Sequence, residues 1–359
     1  MKIIVFMPIT DGKYEDDTSL HCRALETYGG HTIYKIRHTM RDDKLSFEFD
    51  ESEDDKLGTA DVIWCPYEDM LVSAVHYSKE NNIPIVGHFE IVLPGRVFLD
   101  SVDVHWWTDL QPFEENKMAF YYSYRGFLEN YLKCDVKTIM GKYHKYRCEK
   151  IIGKHIGETF IKPYPFDNKL FDDYKKNDVE EKNQICSIYR PVIYKKTAHI
   201  LKALSLLENP PKYIIAGEDK RNSVVMDKLK TMVKELNLDV EFVGSITDEE
   251  KVKLIQESMF SFSHYGALPP TEAAYLKKPC VCYFEPDIYD RLNDLPYYVQ
   301  TNNIEELAKT IKELSEDKQK RKEVGEKAYN ILINNKCHTH LLKEDSRLLT
   351  EIFEKAVKK

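Results

Sequence analysis

An arginine and a lysine, Arg190 and Lys196, follow the apolar run Ile185–Tyr189. Arg190 offers a planar fork of donors and Lys196 a compact point charge, so together they could neutralise a diphosphate without a metal ion. Further along, Gly266-Ala267-Leu268 brings small residues and backbone N–H groups to the start of a helix, a favoured place for anionic oxygen. Glu272 follows two prolines and is expected in that helix's first turn, where the macrodipole favours a carboxylate. Its two oxygens could accept both hydroxyls of a ribose. Gly217 and Gly244-Ser245 end two further apolar runs, and glycine there permits a sharp turn and the close approach of a flat base. Each feature alone has an ordinary explanation in loop solvation, capping or turn punctuation. Their order along one stretch of chain points to a ligand carrying phosphate.

These residues need elements to position them. Apolar strand-like runs alternate with amphipathic helical stretches through the whole sequence. Lys2–Ile9, His31–Ile36, Val62–Cys65 and Pro84–His88 read as strands, with helices over 18–28 and 70–81. The rhythm restarts at Gln184. It continues through helix 197–207, strand 213–216, helix 223–236, strand 240–243, helix 248–256, strand 259–263 and strand 281–284. Such a series predicts parallel sheets covered on both faces. Ligands gather at the carboxyl ends of such strands, where Arg190 and Lys196 fall. A dinucleotide-binding G-x-G-x-x-G is absent, since residues 10–14 offer Gly12 alone, and this disfavours NAD.

The chain of 359 residues is long enough for two domains. We expect a first domain over 1–165, a Pro-, Asp- and Lys-rich linker over 166–183, a second domain over 184–335, and a terminal helical segment, 336–359, crossing back. Apolar residues make up 42% and charged residues 31%, which is globular in character. No apolar run approaches bilayer length and no leader precedes the first strand, so a cytoplasmic protein is expected. The eight cysteines form no CxxC pair, and Cys280-x-Cys282 reads as two core-facing strand positions. Asp16-Asp17 lacks the strand context of a metal-binding DxD, so no metal site is expected. A net charge of −8 argues against a surface that grips nucleic acid everywhere. Residues 136–162, however, are rich in Lys, Tyr and His and read either as a helix face or as a local contact for an anionic surface. Glu48 to Asp55 reads as a solvated acidic loop.

The order strand-Arg-x5-Lys-helix, strand-Gly, strand-Gly-Ser, then Gly-Ala-Leu-Pro-Pro-Thr-Glu-Ala and a strand resembles the donor half of family 4 (group 1) retaining glycosyltransferases. The resemblance covers roughly 184–330; the first half matches in outline, through the Gly12 loop, Gly30-His31 and His88. It implies an α/β protein of the GT-B fold, two Rossmann-like domains facing a central cleft, with the C-terminal helix packing back on the first. It implies a metal-independent, hexosyltransferase-type enzyme moving a sugar from a nucleoside diphosphate with retention, using UDP- or GDP-sugars and no cofactor. Carried over, Arg190 and Lys196 lie at the diphosphate, Glu272 at the ribose, Gly266, Ala267 and Leu268 near sugar and phosphate, and Gly244-Ser245 beside the base. Gly12 belongs to the donor site, and His88 faces the reacting sugar carbon. One departure stands out: the family's first donor-site glutamate is here His264, which signals an altered donor or a degraded site.

The acceptor stays open between a saccharide, a lipid-linked saccharide and a modified DNA base, the last as in viral DNA-base glycosyltransferases. Two other classes fit the same residues. One is a nucleotide-sugar-binding protein without catalysis, and the other a GT-B-fold nucleotide-sugar epimerase.

Overall fold

The computed structural model describes residues 1–8, 17–41, 44–49, 59–67, 70–89, 126–142, 145–146, 148–149, 153–162, 164–189, 191, 196–218, 223–263, 268–284, 297–300, 303–334 and 339–359. The chain forms two compact units, Met1–Pro165 with His340–Lys359, and Phe166–Thr339.

The first unit contains β1 (Lys2–Pro8), α1 (Asp17–Gly29), β2 (Thr32–Arg41), β3 (Lys44–Phe49), β4 (Val62–Cys65), α2 (Leu71–Asn81), β5 (Ile85–Phe89), β6 (Val136–Ile139) and β7 (Phe160–Ile161). A further short strand, β8 (Tyr164–Phe166), follows where the chain passes to the second unit. The sheet runs β3-β2-β1-β4-β5-β6-β7, parallel throughout except for the β2–β3 hairpin. Its central strands are buried on both faces because their side chains alternate between two cores. Ile4, Phe6, Ile63, Ile85 and Phe89 pack on α2, whereas Ile3, Val5, Val62, Trp64 and Val86 lie on the opposite face.

The C-terminal helix returns to this second face, as expected from the sequence. Its Leu349, Ile352, Phe353 and Ala356 recur at helical spacing and join the same cluster as Trp64. His21 Nδ1 and Asp345 Oδ2 meet at 2.7 Å inside that packing, both fully buried. Two readings of the sequence are corrected here. Glu48 belongs to strand β3, its Cα opposite Arg37, and not to a loop. The basic segment is no single helix face: Val136–Ile139 and Phe160–Ile161 are strands, and Lys162 is buried at 1% exposure.

The second unit contains α3 (Asn168–Tyr174), β9 (Gln184–Ile188), α4 (Thr197–Ser205), β10 (Lys212–Ala216), α5 (Ser223–Glu235) and β11 (Val240–Gly244). It continues with α6 (Asp248–Glu257), β12 (Phe260–Ser263), α7 (Leu268–Tyr275), β13 (Cys280–Phe284), β14 (Tyr297–Gln300), α8 (Ile304–Glu316) and α9 (Lys318–Ile333). β15 (Thr339–Leu341) and α10 (Leu342–Val357), the returning helix, close the chain.

The sheet order is β11-β10-β9-β12-β13-β14, all parallel. Counted from its own first strand, this is 3-2-1-4-5-6, the doubly wound order whose direction reverses between the first and fourth strands. Here those strands are β9 and β12. The Cys280 and Cys282 thiols face the same side of β13, buried and 3.8 Å apart, in keeping with core-facing positions.

Candidate functional site

In a doubly wound sheet, ligands sit beyond the carboxyl ends of the two strands flanking the reversal. β9 and β12 are hydrogen-bonded neighbours, with Phe260 opposite Ile185 and Ser261 opposite Cys186. The chain leaving β9 reaches Lys196 at the start of α4, and the chain leaving β12 enters α7 at Leu268. The two loops that carry most of the expected donor residues thus leave the carboxyl ends of neighbouring strands. Arg190, His264, Gly266, Ala267 and, in the first unit, Gly12 lie outside the described residues.

Lys196 is the N-cap of α4 and holds a left-handed backbone, φ 53° and ψ 30°, which a non-glycine residue adopts only at some cost. Its side chain makes no capping bond. A buried hydroxyl relay fixes the next residue. Thr197 Oγ1 lies 3.0 Å from Tyr189 Oη, which lies 3.2 Å from Tyr213 Oη. Tyr213 donates to Ser187 Oγ at 2.8 Å, and Ser187 donates to the Phe262 carbonyl at 2.9 Å. With its two final donors fixed, the relay runs one way, so Tyr189 donates to Tyr213 and Thr197 donates to Tyr189. Burial pushes both tyrosine hydroxyls up, so they remain neutral donors. The relay ties β9, β10 and β12 to Thr197, the first residue of α4.

Glu272 is 7% exposed. The helix that carries it begins earlier than the sequence suggested. Leu268, Pro269 and Pro270 form the first turn of α7, where proline costs nothing because the N–H groups have no partner anyway. Glu272 therefore sits in the second turn, beyond the strongest part of the dipole. Its countercharge is Lys251, one turn into α6, whose ammonium lies 3.1 Å from Glu272 Oε1 and 3.0 Å from Asp248 Oδ1. The same ammonium stands 5.5 Å above the Phe171 ring of α3. Burial works against charge on Lys251, but the Glu272 and Asp248 carboxylates outweigh it and raise its pKa. Sequence reasoning missed Lys251 because it reads as an ordinary surface partner of Asp248.

Gly217 and Gly244 both have positive φ, 124° and 70°, at the ends of β10 and β11. The Gly217 N–H donates to the Gly244 carbonyl at 2.6 Å, so the two turns are joined. Ser245 is exposed just beyond, two strands away from β9 at the sheet edge. Leu268 is half-buried.

His88 lies in the first unit, fully buried on β5. Its Nδ1 is 2.9 Å from Thr138 Oγ1, and that hydroxyl donates to the Gly87 carbonyl at 3.2 Å. Thr138 must then accept the Nδ1 proton, so the ring's lone pair is on Nε2. Among the described residues, no group of three or more His, Cys, Asp or Glu side chains could hold a metal ion. No helix among them is long and apolar enough to cross a membrane.

Residues 169–331 match the family model for glycosyl transferases group 1. A comparison with curated protein sequences finds no match. Solved structures are similar over nearly the whole chain. HepE of Anabaena in complex with UDP and glucose superposes with a TM-score of 0.73 at 13% identity, covering 99% of each chain. A glycosyltransferase of Rickettsia africae gives 0.73 at 14% identity, covering 100% of this chain and 99% of that one. Sucrose-phosphate synthase of Thermosynechococcus elongatus gives 0.74 at 12% identity, covering 99% and 98%. The second unit thus bears the likeness to group 1 glycosyl transferases that its residues suggested, and the fold is the two-unit GT-B kind.

Proposed function

We propose that the chain is a glycosyltransferase that moves a hexose from a nucleoside-diphosphate sugar to an acceptor, with retention and without a metal ion. The observation that carries this is that β9 and β12, neighbours at the reversal point of the second sheet, lead into helices that carry Lys196, in a left-handed helix-start conformation, and Glu272, buried and paired with an ammonium. Negative charge builds on the diphosphate as the glycosidic bond breaks. Preformed donors aimed at that charge lower the barrier directly. Lys196 and Arg190 serve as those donors, with the Gly266 to Leu268 amides, while Glu272 accepts from the ribose. HepE binds UDP and UDP-glucose, so a uridine donor is the first to try here. By the family resemblance His88 would face the reacting sugar carbon, and residues 1–165 would hold the acceptor.

Two measurements test the reading. A thermal-shift screen against UDP-, GDP-, ADP- and dTDP-sugars should give a stabilised complex with one of them. With that donor, Lys196→Ala should reduce nucleotide release by about 100-fold or more, the scale seen when one preorganised donor is removed. Unchanged turnover would take Lys196 out of the mechanism.

A further inference from the structure

We infer that Lys251 is a positioning residue that sets how Glu272 meets the sugar ring of the nucleotide, an inference that rests on the donor-site reading of Glu272. The side chains converge from three separate helices. Thr247 opens α6 with a capping box, its hydroxyl accepting the Glu250 N–H at 3.2 Å while the Glu250 carboxylate accepts the Thr247 N–H at 2.8 Å. This fixes the first turn of α6 and so the origin of the Lys251 side chain. The Phe171 ring of α3 lies under the ammonium. Glu272 comes from α7 and presents Oε1 to the ammonium at 3.1 Å.

Neutralising Lys251 alone would not require Glu272. Asp248, half-exposed on the same helix, already pairs with the ammonium at 3.0 Å. Among the described residues nothing else bonds the Glu272 carboxylate, whose side chain is 10% exposed. With Oε1 held by an ammonium that is itself fixed, rotation of the carboxylate is arrested and Oε2 keeps one direction. An oxygen so aimed discriminates for a ligand that offers a hydroxyl there, because a ligand lacking it covers Oε2 without giving it a partner.

The test uses the full chain with UDP, GDP and ADP and their 2′-deoxy counterparts, measured by titration calorimetry alongside the melting temperature of the free protein. For the base that binds, the wild type should prefer the ribonucleotide by about 10-fold or more, the usual size of a lost hydrogen bond to a charged group. Lys251→Met keeps the apolar stem on Phe171 and removes the charge. It should bind both nucleotides alike, near the affinity of the wild type for the deoxy form, and Lys251→Arg should restore part of the preference. Preference retained in Lys251→Met overturns the inference while leaving the donor site standing. Failure of both Lys251→Met and Lys251→Gln to fold also overturns it, since the ammonium would then be holding the fold. A wild type that binds none of the three, or does not distinguish ribose from deoxyribose, removes the Glu272 reading itself.

Discussion

Gly325 sits in the middle of α9, where α9 crosses the end of α7. A Cβ built on it would lie 1.9 Å from the Lys277 carbonyl oxygen and 2.5 Å from its carbon. The obstacle is backbone, in a residue that already holds a left-handed φ of 57° to end α7. Gly325→Ala must therefore separate the two helices by about 1 Å before the contact becomes tolerable, a displacement well beyond ordinary side-chain adjustment. Overpacking of this kind costs about 3 kcal/mol at the upper end of its usual range. Helix propensity pulls the other way, because alanine in a helix interior is favoured over glycine by about 1 kcal/mol. The clash wins, leaving a net loss near 2 kcal/mol. For a unit of this size that corresponds to a fall in Tm of about 4–8 °C, read by circular dichroism. Gly126→Ala is the control: a Cβ there meets nothing within 4 Å, so the change should be neutral or stabilising by about 0.5 kcal/mol. The displaced α7 carries Glu272 five residues before Lys277, so nucleotide affinity should fall with stability. A Gly325→Ala protein that melts at the wild-type temperature would refute the packing argument.

Lys196→Gly should separate stability from activity: it relieves a left-handed backbone while removing the ammonium, so thermal melting should not fall although turnover does. Tyr213→Phe removes the middle of the hydroxyl relay and should lower stability by about 1–2 kcal/mol in urea unfolding, with a larger proportional loss in kcat than in KM if the relay holds Lys196. Glu181 accepts from Lys278 at 2.7 Å and from Arg321 at 2.5 Å. Burial works against its charge, but those two partners prevail and hold its carboxyl below the usual range. A depressed folded pKa contributes stability above the unfolded value, about 4.3, and loses it as pH falls through the folded one. The stability difference between wild type and Glu181→Gln should therefore shrink as acid is added below about pH 4.5 in urea titrations.

The central strands were readable in the sequence because a parallel strand buried on both faces is a continuous apolar run. Val62–Cys65 and Ile85–Phe89 show it, every residue buried. β6 was hidden by Lys137, half-exposed in mid-strand, and β7 has two residues and no period to detect. β3 does alternate Leu45, Phe47 and Phe49, but the acidic residues that follow dominate the reading of that region. Residue type and order were enough to put forward Lys196 and Glu272 as donor-site candidates. The left-handed conformation of Lys196 was not readable, and neither was the relay beside it, whose hydrogen bonds depend on strand order. The start of α7 was misjudged because a proline pair can either precede a helix or occupy its first turn, and the chain uses the second option.

That misjudged start changes how the charge on Glu272 is maintained. In the first turn, the helix dipole would favour the carboxylate by about 0.3–1 kcal/mol, and the effect fades beyond that turn. A carboxylate in the second turn, mostly removed from water, needs a closer countercharge, and Lys251 is that group. The pH behaviour of binding follows from this. Lys251 has a raised folded pKa, so its contribution is fully present below the ordinary lysine value of about 10.4 and is lost only as pH rises through the folded value. Ribose preference should accordingly stay flat from about pH 7 to pH 10 and decline only above the ordinary lysine range. Calorimetric titrations with ribo- and deoxynucleotides across that range provide the check. A decline centred near neutral pH would mean that a histidine, and not the Lys251 ammonium, governs the carboxylate.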